Sequence, residues 1–263
     1  MIDRRLRPED DNGGRAEFCA LIAIRAGEMV DGFASPANVR HKNNTTELVS
    51  DLDVRVQKFL VNEIRRAFPG DSIMAEEQGF NLHGGPIKWC IDPLDGTSNY
   101  LAGKEDYAIS VGVSSETRAF GASILKPRTG EYAHLLKGKV SSKLRAPIKR
   151  RNSDPPRIAV GVPYALDRSR HAYQLIGTLS NSFEVARSGS AACDLLRLVA
   201  GDLHVYISAG LPVWDTAAGR ILVDALDGRV EQFTRGAAAL TMFSTRSDAY
   251  VLARPILSAM EKL

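Results

Sequence analysis

The chain has 263 residues, 44% hydrophobic and 25% charged, and its net charge of +3 is too small to indicate a nucleic-acid partner. Its length suffices for one large or two modest lobes, and no apolar run is long enough to cross a membrane. The N-terminus lacks a secretory apolar core and three scattered cysteines form no disulfide pattern, so we expect a cytoplasmic protein.

The first third of the chain predicts two amphipathic helices, over residues 16–33 and 50–68, because apolar residues recur there at helical spacing. Ser50 and Asp53 form a capping pair at the start of the second helix, and Pro69-Gly70 ends it.

Strand signals follow the second helix. Residues 106–125 alternate between apolar and polar and predict a hairpin or a meander, with Gly112 and Gly121 as breaks. Shorter strands are predicted over 72–75, 87–91 and 131–136.

The second half of the chain alternates between strand and helix signals, which predicts a layered α/β arrangement. We expect two lobes, residues 1–145 and 155–263, joined by the basic segment Lys143–Arg151, which we interpret as a solvated linker. The predicted strands are 157–162, 183–186, 203–207, 229–233 and 249–253; the predicted helices are 167–180, 190–200 and 214–226, with a last one near the C-terminus.

The segment Asp92-Pro93-Leu94-Asp95 follows an apolar strand and carries the strongest chemical signal. Its proline argues against a helix, so the chain turns and both carboxylates can converge around the Leu94 carbonyl. Ligands of oxygen alone select hard cations such as Mg²⁺ or Mn²⁺. Gly96 and Thr97 then begin a short helix whose free N–H groups suit a phosphate. This layout predicts metal-assisted hydrolysis of a phosphoester.

Three further acidic elements have ordinary interpretations when each is taken alone. Glu76-Glu77 follows a short strand and reads as exposed loop charge. Asp215 precedes an Ala-Ala-Gly helix start and reads as an N-cap, whereas Asp53 reads as a solvated helix charge.

Taken in chain order, the motifs resemble the inositol monophosphatase family of metal-dependent phosphatases. The Asp-Pro-(Ile/Leu)-Asp-Gly-Thr-x-Asn-(Phe/Tyr) signature of that family is complete in this chain, and its Gly-Glu-Glu element has Ala75 for glycine. The matching segments are Glu47–Asp53, Ala75–Glu77, Asp92–Tyr100, Gly189–Ala192 and Trp214–Gly219.

The resemblance implies a site for two or three Mg²⁺ ions, with Mn²⁺ as a substitute. It assigns the first metal to Glu77, Asp92 and the Leu94 carbonyl, and the second to Asp92, Asp95 and Asp215. A weaker third ion would be held by Glu77 together with waters.

The same resemblance assigns roles around the metals. Thr97, paired with Asp53, would orient the attacking water, and Glu76 would support the site from behind. Gly96 and Thr97 would hold the phosphate, with Lys42 near the site. Water would then attack phosphorus in line, without a phosphoenzyme. The resemblance also implies a five-layer αβαβα sandwich, a homodimer and sensitivity to lithium.

Substrate contacts are predicted around the start of the helix expected over residues 190–200 and at one position before Trp214. Gly189, Ser190, Ala191 and Arg187 would line the substrate mouth, although a surface salt bridge is an equal interpretation of Arg187. Ser208 occupies the position where relatives with polyol substrates carry glutamate, which weakens a polyol contact.

We therefore expect a phosphomonoesterase that acts on a small phosphorylated metabolite resembling inositol monophosphate. Histidinol phosphate and fructose 1,6-bisphosphate remain possible substrates. The residues Ser98 and Tyr206–Ser208 differ from those usual in adenosine 3′,5′-bisphosphate phosphatases, which disfavours that substrate. A regulatory binding protein is the alternative from another class, because some bacterial relatives bind transcription machinery. Intact, mutually repelling carboxylates favour the enzyme.

Overall fold

The computed structural model describes residues 7–8, 14–32, 39–41, 48–77, 81–151, 153–164, 166–235 and 238–260. They form a five-layer αβαβα sandwich, in which helices separate two sheets and cover both outer faces. No helix in these ranges is long and apolar enough to cross a membrane.

The first ten strands build the larger sheet and a small separate ribbon. The larger sheet has the order β10-β9-β8-β7-β6-β4-β5, with β1 beside β8, and the ribbon pairs β2 with β3. The strands are β1 (Arg7–Pro8), β2 (Arg40–His41), β3 (Leu48–Val49), β4 (Ser72–Ala75), β5 (Asn81–Leu82), β6 (Lys88–Asp95), β7 (Ala108–Ser114), β8 (Arg118–Lys126), β9 (Glu131–Leu136) and β10 (Lys139–Lys143).

Helices α1 (Arg15–Asp31) and α2 (Asp51–Ala67) cover the outer face of the larger sheet, close to their predicted bounds. Their apolar sides pack against β4, β6 and β7 in one buried cluster. The predicted capping pair is confirmed, since the Ser50 N–H and hydroxyl donate to Asp53 Oδ2 over 2.9 and 2.5 Å.

The predicted hairpin is confirmed as β7 and β8, but Gly112 and Gly121 lie inside these strands and do not break them. A Cβ atom on Gly112 would lie 3.2 Å from the Ala218 nitrogen, and one on Gly121 would lie 2.8 Å from the Ala16 Cα. These glycines therefore allow helices to approach the two faces of the sheet closely.

The second half of the chain builds the smaller sheet, in the order β12-β11-β13-β15-β14. Helices α5 and α6 lie between the two sheets, whereas α4 and α7 cover the outer face of the smaller one. The elements are α3 (Thr97–Leu101), β11 (Arg157–Gly161), α4 (Leu166–Leu179), β12 (Glu184–Ala186), α5 (Ala191–Val199), β13 (Val205–Ala209), α6 (Ala217–Ala225), β14 (Arg229–Arg235), β15 (Ala238–Ser244) and α7 (Ser247–Met260).

The sequence interpretation was wrong at the C-terminal end. Residues 249–253, predicted as a strand, belong to α7, and β15 was not predicted. Ala249, Ala253 and Leu257 are buried at a spacing of four residues, so one helical face packs against the smaller sheet. A short apolar run does not distinguish a strand from a buried helix segment.

The layers around α5 and α6 share one hydrophobic cluster. It joins Ile124 and Leu135 of the larger sheet to Leu195 of α5 and Ile221 of α6. The division of the chain into lobes 1–145 and 155–263 stays a prediction. This shared core fixes the ends of β6, α5 and α6 relative to one another.

Candidate active site

The Asp92–Asp95 segment lies inside β6, which was predicted to end at Ile91. In the pairing with β7, Asp92 lies opposite Ser110 and Asp95 lies opposite Ala108, so β6 carries one extra residue. Residues three apart in a regular strand point to opposite faces, and a bulge of one residue reverses this. The bulge thus allows both carboxylates to lie on one side, and the Leu94 N–H donates to Asp92 Oδ1 over 3.1 Å.

A hydrogen-bonded pair stands where the chain leaves β6. The Thr97 hydroxyl donates to Asp53 Oδ1 over 2.7 Å and lies 3.0 Å from the Leu94 carbonyl oxygen. Gly96, just before it, has a φ of 90°, and a Cβ there would lie 2.8 Å from the Asp106 carbonyl oxygen. Glycine therefore permits the sharp entry into α3 that places Thr97 beside Asp53.

Two glutamates follow β4, and hydrogen bonds hold the segment that carries them. Because β4 is parallel to β6, both strands end at the same edge, and the Glu76 N–H donates to the Ile91 carbonyl over 3.2 Å. The Glu76 side chain forms a hydrogen bond with Asp92. The main chain of buried Glu77 exchanges hydrogen bonds of 2.7 and 2.9 Å with the Gln57 side chain.

Carboxylates repel one another at this edge, and we call Glu76, Asp92, Asp95 and Asp215 the acidic centre. Burial raises the pKa of Asp92 well above its usual range, and the charges of Glu76, Asp95 and Asp215 raise it further. Burial also raises the pKa of Asp95 to about 6, against hydrogen bonds from Ser190 and Ala192 that lower it. A bound cation would relieve this repulsion.

The chemistry of the acidic centre suits a hard cation, because its donors are carboxylate oxygens with the Leu94 carbonyl nearby. Among the described residues, no three acidic, histidine or cysteine side chains stand in the arrangement of a ready-made metal site. The kind of donor and the mutual repulsion therefore carry the case for a metal.

The start of α5 and the turn before α6 complete the site. Asp95 Oδ2 accepts hydrogen bonds from the Ser190 hydroxyl over 2.6 Å and from the Ala192 N–H over 2.5 Å. The Ser190 hydroxyl also caps α5 by accepting from the Cys193 N–H over 3.1 Å. Asp215 ends the 3₁₀ turn Val213–Asp215, which packs against β6 and β7; helix α6, predicted to begin at Trp214, begins after this turn.

A cavity of about 330 Å³ opens beside the acidic centre. The structure brings six of the predicted site residues together in its lining: Asp95, Arg187, Gly189, Ser190, Ala191 and Asp215. The other lining residues are Val160, Gly161, Val162, Pro163, Tyr164, Tyr173, Asp194 and Leu211.

Three predicted substrate contacts do not belong to the lining of this cavity: Gly96, Thr97 and Ser208. Ser208 is buried in β13, opposite Gly161 and Thr241. The prediction for Lys42 falls on a residue outside the described ranges.

Sequence reasoning missed Asn99, Tyr164, Tyr173 and Asp194. Asn99 Nδ2 donates to the carbonyl oxygens of Asp106 and Ser188 over 2.6 and 2.9 Å, and its place in the first motif was an available signal. The two tyrosines stand in segments without a motif and reach the cavity only through the packing of β11 and α4.

The basic segment Lys143–Arg151 is held by ion pairs within the chain. Arg145 lies 3.0 Å from Glu105, Arg150 lies 2.6 Å from Glu184, and Arg151 lies 3.2 Å from Asp154. These contacts agree with the interpretation as a surface linker more than with a patch for nucleic acid.

Comparison with known proteins finds a match to the model of the inositol monophosphatase family over residues 15–260. A Nus factor SuhB of Xylella fastidiosa is 35% identical over 81% of this chain and 83% of its own. An inositol-1-monophosphatase of Bacillus subtilis is 30% identical over 72% of this chain and 74% of its own. The structure of an inositol monophosphatase from Anabaena superposes with a TM-score of 0.73, at 27% identity, over 91% of this chain and 94% of its own.

Proposed function

This chain belongs to the inositol monophosphatase family, and from that premise we propose that it hydrolyses the phosphate ester of a small hydroxylated metabolite with the help of Mg²⁺. The observation that carries the proposal is the Thr97–Asp53 hydrogen bond of 2.7 Å beside the acidic centre. It joins a group that can orient water to a group of carboxylates that can hold cations.

The Thr97 hydroxyl orients the attacking water in this proposal. Its proton is directed to Asp53 Oδ1, so its oxygen can accept a hydrogen bond from water. Asp53 is itself held by Ser50 through Oδ2, which keeps its other oxygen directed at Thr97. Water placed in this way has a fixed direction toward a bound phosphorus.

In this proposal Glu77, Asp92, Asp95, Asp215 and the Leu94 carbonyl would hold the metal ions. Bound Mg²⁺ would lower the pKa of water and neutralise the charge that develops on the phosphate and the leaving alcohol. Glu76 would support the site through Asp92, whose pKa it helps to raise. Hydrogen bonds between the Glu77 main chain and the Gln57 side chain fix the position of buried Glu77.

The phosphate would be held by the backbone at Gly96 and Thr97, next to the Asp95 and Asp215 end of the cavity. The leaving alcohol would extend into the remainder of the cavity, past Ser190. Lys42 as a further contact, a homodimeric assembly, lithium sensitivity and a cytoplasmic location remain predictions. Inositol monophosphate, histidinol phosphate and fructose 1,6-bisphosphate remain candidate substrates, and adenosine 3′,5′-bisphosphate is an alternative that Ser98 and Tyr206–Ser208 disfavour.

The experiment that tests this function is phosphate release from a panel of phosphomonoesters, with and without Mg²⁺ and Li⁺. The panel contains inositol 1-phosphate, histidinol phosphate, adenosine 3′,5′-bisphosphate, fructose 1,6-bisphosphate, glycerol 2-phosphate and AMP. We expect release that depends on Mg²⁺ and is inhibited by Li⁺. No release from any of them by folded protein would contradict the proposal.

A second candidate is a regulatory binding protein, which is favoured by the 35% identity to a relative named a Nus factor. Against it stand the ion pairs of Arg145, Arg150 and Arg151, which hold the basic segment within the chain. Purification from cells with and without nuclease treatment, followed by identification of bound RNA and polymerase subunits, tests this candidate. Their specific recovery would support it, and the two roles do not exclude each other.

A further inference from the structure

Two groups of residues with different chemistry line the cavity. Asp95 and Asp215 of the acidic centre form the first group. The second group, which we call the aromatic wall, consists of Val162, Pro163, Tyr164, Tyr173 and Leu211. Because the reacting phosphate belongs at the acidic centre, we assign the aromatic wall to the alcohol part of the substrate.

The aromatic wall presents ring surface to solvent. Tyr164 is 42% exposed and Tyr173 is 56% exposed, although both line a cavity. The Arg187 guanidinium carbon lies 5.8 Å from the centroid of the Tyr173 ring. Aromatic rings and guanidinium groups are flat surfaces on which another planar group stacks.

The lining residues outside the acidic centre offer few groups for a polyol. Among the described lining residues, Asp194 is the one carboxylate outside the acidic centre. Its oxygens already accept from Arg197 Nη1 over 3.1 Å and from the Ser188 N–H over 3.3 Å. Sugar alcohols need paired hydrogen-bond partners for their hydroxyls, and the side chains of the aromatic wall supply only the two hydroxyls of Tyr164 and Tyr173.

We propose that the substrate is the phosphate monoester of an alcohol that carries a planar aromatic ring, and that Tyr164, Tyr173 and Arg187 select it by stacking. This inference rests on the proposed phosphatase function and names the class of its leaving group. A volume of about 330 Å³ is at the lower end of small-molecule cavities and suits one ring system with its phosphate.

The test compares ring-bearing and polyol esters in hydrolysis and in binding. AMP and histidinol phosphate are the ring-bearing probes, and inositol 1-phosphate and glycerol 2-phosphate are the polyol probes. We expect kcat/KM for the better ring-bearing ester to exceed both polyol esters by roughly tenfold. In Tyr173→Leu and Tyr164→Leu the ratio of kcat/KM between ring-bearing and polyol esters should fall roughly tenfold. The change should come mainly from a higher KM for the ring-bearing ester, because stacking stabilises the bound ground state and the transition state equally.

Tyr250→Leu is the matched control. Tyr250 also lies under an arginine, with the Arg229 guanidinium carbon 4.9 Å from its ring centroid, but it belongs to α7 and not to the cavity lining. Its loss should leave the preference among the four esters unchanged. Circular dichroism of each variant verifies folding, so that a change of preference cannot come from misfolding.

Calorimetric binding of AMP, inositol 1-phosphate and inorganic phosphate to the Asp92→Asn protein separates the inference from the function. Tighter binding of AMP that is lost in Asp92→Asn/Tyr173→Leu supports the aromatic wall, whether or not turnover occurs. A preference for a polyol ester would overturn the inference. So would an equal loss of kcat/KM for ring-bearing and polyol esters in the tyrosine variants. Either result would leave the proposed phosphatase function in place. Absence of hydrolysis of every ester overturns the phosphatase instead.

Discussion

The acidic centre and the aromatic wall both contribute to the lining of one cavity, and they are built in different ways. Asp92 and Asp95 are held by main-chain and hydroxyl donors from β6 and α5. Tyr164 and Tyr173 instead lie exposed on the surface. The difference teaches that groups in the reaction need fixed positions, whereas groups that select a leaving group need accessible surface. It predicts that substitutions in the acidic centre affect kcat, whereas substitutions in the aromatic wall affect the preference among substrates.

The largest effect should come from the acidic centre. Asp92→Asn or Asp215→Asn should lower kcat by at least about a hundredfold, because each removes a charge that would hold the cations and stabilise the transition state. Phosphate release at saturating Mg²⁺ measures this. Asp227→Asn, at an exposed position with a φ of 56° that asparagine also tolerates, is the control. Near-normal activity in Asp92→Asn would refute the site.

A second effect should come from the group that orients water. Thr97→Val removes the hydroxyl that donates to Asp53 while keeping the shape, and kcat should fall about tenfold to a hundredfold. Thr97→Ser keeps the hydroxyl and should retain most of the activity. Single-turnover phosphate release distinguishes the two variants, and equal activity of valine and serine there would exclude the hydroxyl from the reaction.

The sequence predicted the acidic centre better than the aromatic wall. Ser50 with Asp53, and Thr97 next to the bulge, are parts of short motifs, so residues near in sequence specified their positions. The approach of Glu76 to Asp92 depends on the pairing of β4 with β6, which brings separate parts of the chain together. Short motifs therefore predicted which carboxylates belong to the site, whereas their distances from one another depend on strand pairing.

The elements that were missed depend on packing between layers. Gly112 and Gly121 read as breaks because glycine weakens strands, yet each serves the approach of a helix to the larger sheet. Residues 249–253 became a helix because one face of α7 meets the smaller sheet. Tyr164 and Tyr173 line the same cavity only after β11 and α4 pack, so no local pattern predicts the aromatic wall.

A smaller effect is expected where α5 meets the acidic centre. Ser190→Ala removes a hydrogen bond to Asp95 and the cap of α5, so the free energy of unfolding should fall by about 1 kcal/mol. The Mg²⁺ concentration for half-maximal activity should rise severalfold, because Asp95 loses a group that positions it. Ser180→Ala, whose hydroxyl donates to the Ile176 carbonyl on an exposed helix end, is the control. An unchanged Mg²⁺ concentration for half-maximal activity would show that Ser190 does not contribute to metal binding.

The smallest effect, and the sharpest test of the comparison, concerns the Tyr206 hydroxyl, which lies next to Gly161 of the cavity lining. Tyr206 is fully buried, and its hydroxyl oxygen has no hydrogen-bond partner among the described residues, unlike the bonded groups around Asp95. An unpaired buried hydroxyl gives up its hydrogen bonds to water on folding, so Tyr206→Phe should raise the free energy of unfolding by up to about 1 kcal/mol. Tyr250→Phe, which loses a 2.5 Å bond to Glu231, should lower it by a similar amount.

Urea unfolding at equal m-values measures both changes, and kcat should stay within about twofold in Tyr206→Phe. A loss of stability or of activity in that variant would show that the hydroxyl binds a water or a substrate group through the gap at Gly161. A Cβ atom built on Gly161 would overlap this hydroxyl. Tyr206 would then be a hydrogen-bonded group with a fixed position, like the groups around Asp95, and the set of residues that take part in the reaction would extend beyond the acidic centre.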